Sequence, residues 1–93
     1  MSLERLVSKY VDSAKQVLES IEVVETPMTV EAAGVEKVVG YARDYLSDAE
    51  YYREKEKFDV SLTSVAYCEG LLDALRLLGA VKFEWPGPMN DAR

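Results

Sequence analysis

Histidine is absent from this chain, and cysteine, tryptophan, asparagine and glutamine each occur once. Each shortage closes a class of function. Without His, the usual group for acid–base and nucleophilic work is missing. Helical RNases that use an Arg and a His are excluded, and so are zinc centres of the Cys/His type. One cysteine, Cys68, allows no intrachain disulfide. It stands beside Tyr67 and near Leu71 and Leu72 in a helical apolar pattern, so it reads as a small core hydrophobe and not as a reactive thiol. Glycine is sparse, and Gly34 and Gly40 lack the Lys and Ser/Thr context of a phosphate loop. No apolar run approaches the ~20 residues that span a bilayer. The opening MSLERLVSKYVDSAK has no signal-peptide architecture, so the expected location is the cytoplasm. Basic residues are also few: 11 are scattered among 17 acidic ones, for a net charge of -6. Phosphate backbones and anionic lipid surfaces are bound through clustered Lys and Arg, so neither nucleic acid nor a membrane is an expected partner.

What is present is helical periodicity. Ninety-three residues with a 48% apolar fraction make one domain; we expect it over residues 1–86, with a flexible tail over 87–93. A bias to Glu and Lys over Asn and Gln resembles thermophile composition. The first helix is expected over Leu3 to Val24. Its seam of Leu3, Val7, Tyr10, Ala14, Val17, Ile21 and Val24 alternates spacings of four and three. Leu6, Val11 and Leu18 widen the stripe; Ser2 is placed as N-cap, and Thr26-Pro27 stops the helix.

The second helix is expected to start near Thr29 as N-cap. It carries a stripe of Val35, Val38, Ala42, Tyr45, Ala49 and Tyr52, flanked by Val39 and Leu46, with a close backbone crossing at Gly40. A charged turn at Glu54–Lys57 leads to Phe58, expected to tuck over the bundle end, and to Asp59 as N-cap. The third helix is expected over Val60 to Leu78, closed by Gly79 at C′. Leu62, Val65, Leu72 and Leu75 form one face, with Leu72 expected to be almost fully buried. Tyr67, Leu71, Ala74 and Leu78 form another. A helix apolar on two faces is central in its fold or shared with a partner. Ala66, Gly70 and Ala74 recur every fourth residue, a spacing that admits a second helix closely. Val81, Phe83 and Trp85 alternate with Lys82 and Glu84, as an extended piece laid on the helices does.

Tyr45 to Gly79 resembles the archaeal family catalogued as domain of unknown function 357. The resemblance rests on Tyr45-x-x-Asp48-Ala49, on Asp59 after a short turn, and on the run Tyr67, Glu69, Gly70, Leu71, Leu72, Asp73, Ala74 and Leu75. Cys68 stands where Ala is usual, and Lys57-Phe58 where a Gly is common. The resemblance implies a small all-helical domain and no activity. A second likeness, to one tetratricopeptide unit, rests on Tyr52, Phe58 and Ser61 and extends to helical-hairpin geometry alone.

The fold expected is therefore all-α: an antiparallel three-helix bundle with a short extended C-terminal segment. The function expected is a non-catalytic interaction or assembly module that needs no cofactor. Its partner is a protein, with self-association as a homodimer through Tyr67, Leu71, Leu78, Phe83 and Trp85. The alternative is a Mg²⁺-dependent, nucleotide pyrophosphohydrolase-like enzyme. Asp44 and Asp48 are four apart on the second helix, and Glu69 and Asp73 four apart on the third. Four carboxylates at one height on antiparallel helices would suit Mg²⁺. All-helical enzymes of that class use a Glu-x-x-Glu and Glu-x-x-Asp arrangement, from which both spacings here depart. The competing role for these groups is structural, with Asp48 and Glu69 bonding Tyr hydroxyls or backbone and Asp44 and Asp73 pairing with Arg43 or Arg76.

Overall fold

Three helices follow one another in the computed structural model, which describes residues 2–86: α1 (Leu3–Ser20), α2 (Ala32–Glu54) and α3 (Phe58–Leu77). No strand occurs among the described residues. The tail expected over 87–93 lies outside them.

Ser2 starts α1 as anticipated, its Oγ accepting from the Arg5 N–H at 3.1 Å. The helix ends at Ser20, four residues short of Val24. The Ser20 hydroxyl turns back to the Gln16 carbonyl at 3.1 Å, a local side-chain bond that competes with helix continuation. Ile21 is already extended, at φ -65 and ψ 135. The β-branched residues Ile21, Val23, Val24 and Thr26 then lead to Pro27, a run that favours extension over helix. Residues 21–31 form no helix or strand. α2 starts at Ala32 with Glu31, and not Thr29, in the cap position, and no side chain bonds the cap.

The turn between α2 and α3 is built from backbone. The Lys57 N–H donates to the Tyr52 carbonyl at 2.9 Å and the Glu56 N–H to the Arg53 carbonyl at 3.0 Å, the paired bonds of a Schellman motif. The motif needs a left-handed residue, and Glu56 fills that role at φ 59. The same pair closes α3: Ala80 N–H to Leu75 carbonyl at 2.9 Å and Gly79 N–H to Arg76 carbonyl at 3.0 Å. Here the left-handed residue is Gly79, as its position foretold, at φ 77. Phe58 does not tuck back. It opens α3 and is 62% exposed. Asp59 lies inside the first turn and accepts from the Val60 N–H at 2.9 Å, while Lys57 takes the cap position.

α2 and α3 pack antiparallel as a hairpin. Ala42, Ala49, Cys68 and Leu75 are buried between them, at 2%, 5%, 5% and 6% exposure. Val35, Val38, Val39 and Tyr52 from α2 and Val65, Leu71 and Leu72 from α3 are half-buried around that line. The expected stripes are therefore the ones used, with three shifts. Leu72 is half-buried, not almost fully buried, and Leu62 and Tyr45 are exposed. Small residues at the centre bring the helices close enough for the Ser61 hydroxyl to donate to the Ala49 carbonyl at 2.7 Å. The expected crossing at Gly40 does not form: a Cβ there would meet nothing within 4 Å.

α1 stands apart from this pair. It brings no Cα within 8 Å of α2 or α3. Its whole heptad seam, expected in the core, is exposed. The radius of gyration, 15.9 Å, exceeds the ~12 Å of a closely packed chain of this length. The buried line of the hairpin joins α2 and α3 alone, and the eleven-residue linker over 21–31 does not force α1 against them.

Candidate functional site

Between α1 and the start of α3 lies an open cleft of about 530 Å³. Leu3, Leu6 and Tyr10 line it from α1, and Asp59, Val60, Thr63 and Tyr67 from α3. Helical spacing makes both walls: positions 3, 6 and 10 share one side of α1, and 60, 63 and 67 one side of α3. Tyr67 is 53% exposed and is fixed at the cleft edge by Tyr45 of α2, the ring centroids 4.4 Å apart and tilted by 31°. Such aromatic pairing holds a side chain in place beyond its burial. The α3 wall continues along the exposed Ala66, Gly70 and Ala74, and a Cβ at Gly70 would meet nothing within 4 Å.

The charge distribution differs between the parts. Glu4, Asp12 and Glu19 of α1 are balanced by Arg5, Lys9 and Lys15. The net -6 of the chain therefore resides entirely outside α1.

The C-terminal segment behaves as its alternation implied. Val81, Phe83 and Trp85 are half-buried, while Lys82 and Glu84 are exposed. Phe83 and Trp85 meet edge to face at 4.9 Å. The Trp85 indole N–H donates to Asp73 Oδ1 at 2.8 Å, and Arg76 bonds the same oxygen at 3.2 Å. Arg76 also lies 5.7 Å from the Phe83 ring centre. This clasp folds the segment back along α3.

Of the five residues expected at an interface, Tyr67 and Leu78 are exposed, Leu71 is half-buried, and Phe83 and Trp85 are half-buried in the clasp. The four carboxylates of the enzyme alternative stand in different surroundings. Asp73 is held by Trp85 and Arg76, Asp44 and Asp48 are exposed, and Glu69 is half-buried. Among the described residues no three His, Cys, Asp or Glu side chains are grouped so as to hold a metal ion. Cys68 is buried. Burial, and after it the neighbouring Glu69 carboxylate, raises its thiol above the ordinary 9.0 and keeps it protonated. No described helix is long and apolar enough to cross a membrane.

Sequence reasoning missed the cleft because it placed the α1 stripe inside the core. Periodicity reports that a helix has an apolar face and is silent on what covers it. The clasp partner of Trp85 was missed for a related reason, since twelve residues and a helix end separate it from Asp73. The available signal for the cleft was the linker at 21–31, longer than the two to eight residues usual between packed bundle helices.

Neither a curated protein nor a solved structure matches the chain. One family model does, over residues 9–81, which takes in most of α1, the linker and the whole hairpin. The chain belongs to that family, DUF357, described as a protein of unknown function.

Proposed function

We propose that this chain is a non-catalytic helical interaction module whose working surface is the apolar face of α1 together with the adjoining side of α3. The observation that carries the reading is the contrast between what the hairpin buries and what the chain leaves open. Four residues, three of them small, are buried between α2 and α3, while Leu3, Val7, Tyr10, Val17 and Leu18 are all more than half exposed along one helix. Soluble proteins rarely leave a contiguous apolar patch of several hundred Å² uncovered unless something binds it. The absence of His and the burial of Cys68 favour a binding role over thiol or imidazole chemistry. Tyr67 belongs to this surface; Leu78 is exposed at the far end of α3, and Leu71, Phe83 and Trp85 contribute chiefly to the chain's own packing.

The test is site-specific photocrosslinking in the native cell, with the crosslinker at Leu6, at Tyr67 and, for comparison, at Glu36 of α2, which does not line the cleft. Protein adducts of any identity, self-adducts included, at Leu6 and Tyr67 but not at Glu36 are the expected result. Adducts at none of the three, or equally at all, would remove the reading.

A further inference from the structure

Building on that reading, we infer that the occupant of the cleft is α1 of a second copy of this chain, in a two-fold exchange that places the two α1 helices side by side between the two hairpins. Four observations converge on a second copy.

The first is area. Eight large apolar side chains, from Leu3 to Ile21, lie exposed along one side of α1 and its cap. Stable interfaces bury roughly 800 Å² per partner, and this face offers an area of that order. The second is the core. A hairpin that buries only Ala42, Ala49, Cys68 and Leu75 is thin for an independent fold, and small domains commonly complete their core by association.

The third is reach. The linker over 21–31 is eleven residues long and spans up to about 35 Å when extended. That is ample for α1 to lie against a neighbouring hairpin, as exchanged elements do. The fourth is charge. Two chains of net charge -6 repel, and the element that meets the partner is the neutral one, with three acids balanced by three bases.

The geometry closes under two-fold symmetry. The cleft has one wall from α1 and one from α3. A partner α1 seated there touches both walls, and the operator that puts it there puts the first α1 in the partner's cleft. The order across the dimer is then α3, partner α1, α1, partner α3. The small residues Ala66, Gly70 and Ala74 on the outer side of α3 allow the incoming helix to approach closely.

The experiment is sedimentation equilibrium of the purified chain over a concentration series into the high micromolar range, with circular dichroism to confirm that each variant keeps its helices. The wild-type chain should sediment at twice its 10.4 kDa. Val11→Asp, midway along the exposed apolar side of α1, should weaken association by about a hundredfold or more. Val23→Asp, on an exposed linker residue, should leave it unchanged. Because charged substitutions can also loosen a helix, a photocrosslinker at Tyr10, which lines the cleft, in a mixture of tagged and untagged chains gives an independent readout, with the adduct expected on the α1 peptide of the other copy. A monomer throughout the series would overturn the inference. So would a dimer that Val11→Asp leaves intact, or adducts confined to another segment. If the purified chain is monomeric yet Leu6 captures a different protein in the cell, the interaction-module reading stands and the self-exchange fails.

Discussion

The hydroxyl of Ser61 donates to the backbone carbonyl of Ala49 at 2.7 Å, joining α3 to α2 across twelve residues of chain. The bond is possible because Ala49 presents no side chain bulky enough to hold the helices apart. The Ala49 carbonyl lies in mid-helix, where the N–H four residues on is its ordinary partner. Ser61→Ala therefore strands no acceptor and should cost only about 0.5–1.5 kcal/mol. For a domain of this size, each kcal/mol appears as a fall of roughly 4–8 °C in the melting temperature. Ser47→Ala, at an exposed site on the same hairpin, should change little in the same melts.

Glu56 closes α2 in a conformation that a side chain disfavours, with φ 59. The left-handed region costs a non-glycine residue roughly 1–2 kcal/mol, part of which glycine returns through its freer unfolded chain. Glu56→Gly should raise stability by about 0.5–1 kcal/mol. Gly79→Ala, at φ 77 at the end of α3, should lower it by a similar amount. Urea titrations of the two variants should thus move the midpoint in opposite directions.

Leu75 and Leu72 separate burial from pattern. Both lie on the stripe facing α2, but Leu75 is 6% exposed and Leu72 is half-buried. Leu75→Ala should cost about 2–5 kcal/mol, enough to unfold much of so small a domain. Leu72→Ala should cost clearly less. Equal losses in denaturant melts would contradict the packing described above.

Trp85 is the sole tryptophan and reports on its own clasp. Its indole is half-buried and bonded to Asp73. Asp73→Ala should release the segment, shift the emission to the red and increase quenching by iodide. Helix content should stay close to that of the wild-type chain, because the clasp lies outside the hairpin core.

Cys68 links stability to alkaline pH. Burial disfavours its thiolate, so the folded chain holds the thiol proton more tightly than the unfolded chain. Stability from this group is complete below the unfolded thiol's ordinary 9.0 and declines as pH rises beyond it. Urea midpoints should fall more steeply with alkaline pH for the wild-type chain than for Cys68→Ala. At neutral pH, thiol reagents should label the native protein far more slowly than the denatured one.

The all-helical fold was legible in the sequence because each helix carries its own signal. Ser2, Gly79 and the three-and-four spacing of apolar residues act within a few residues of one another, and local chemistry is written locally. The hairpin was legible too. Ala42, Ala49, Cys68 and Leu75 fall on matching stripes, and a short turn forces their helices together. The alternation of Val81, Phe83 and Trp85 likewise foretold which side of the last described segment is covered.

Only the tertiary structure decided where those stripes go. The α1 seam from Leu3 to Ile21 has the pattern of a core helix yet lies open, because pattern records that a face is apolar and not which surface meets it. Asp44, Asp48, Glu69 and Asp73 had spacings compatible with a shared cleft. The capture of Asp73 by Trp85 and Arg76 depends on a chain reversal after Gly79, which is not encoded within any one segment. Ser61 and Ala49 were unremarkable as letters. They became partners when two helices with small residues at their centres could approach closely.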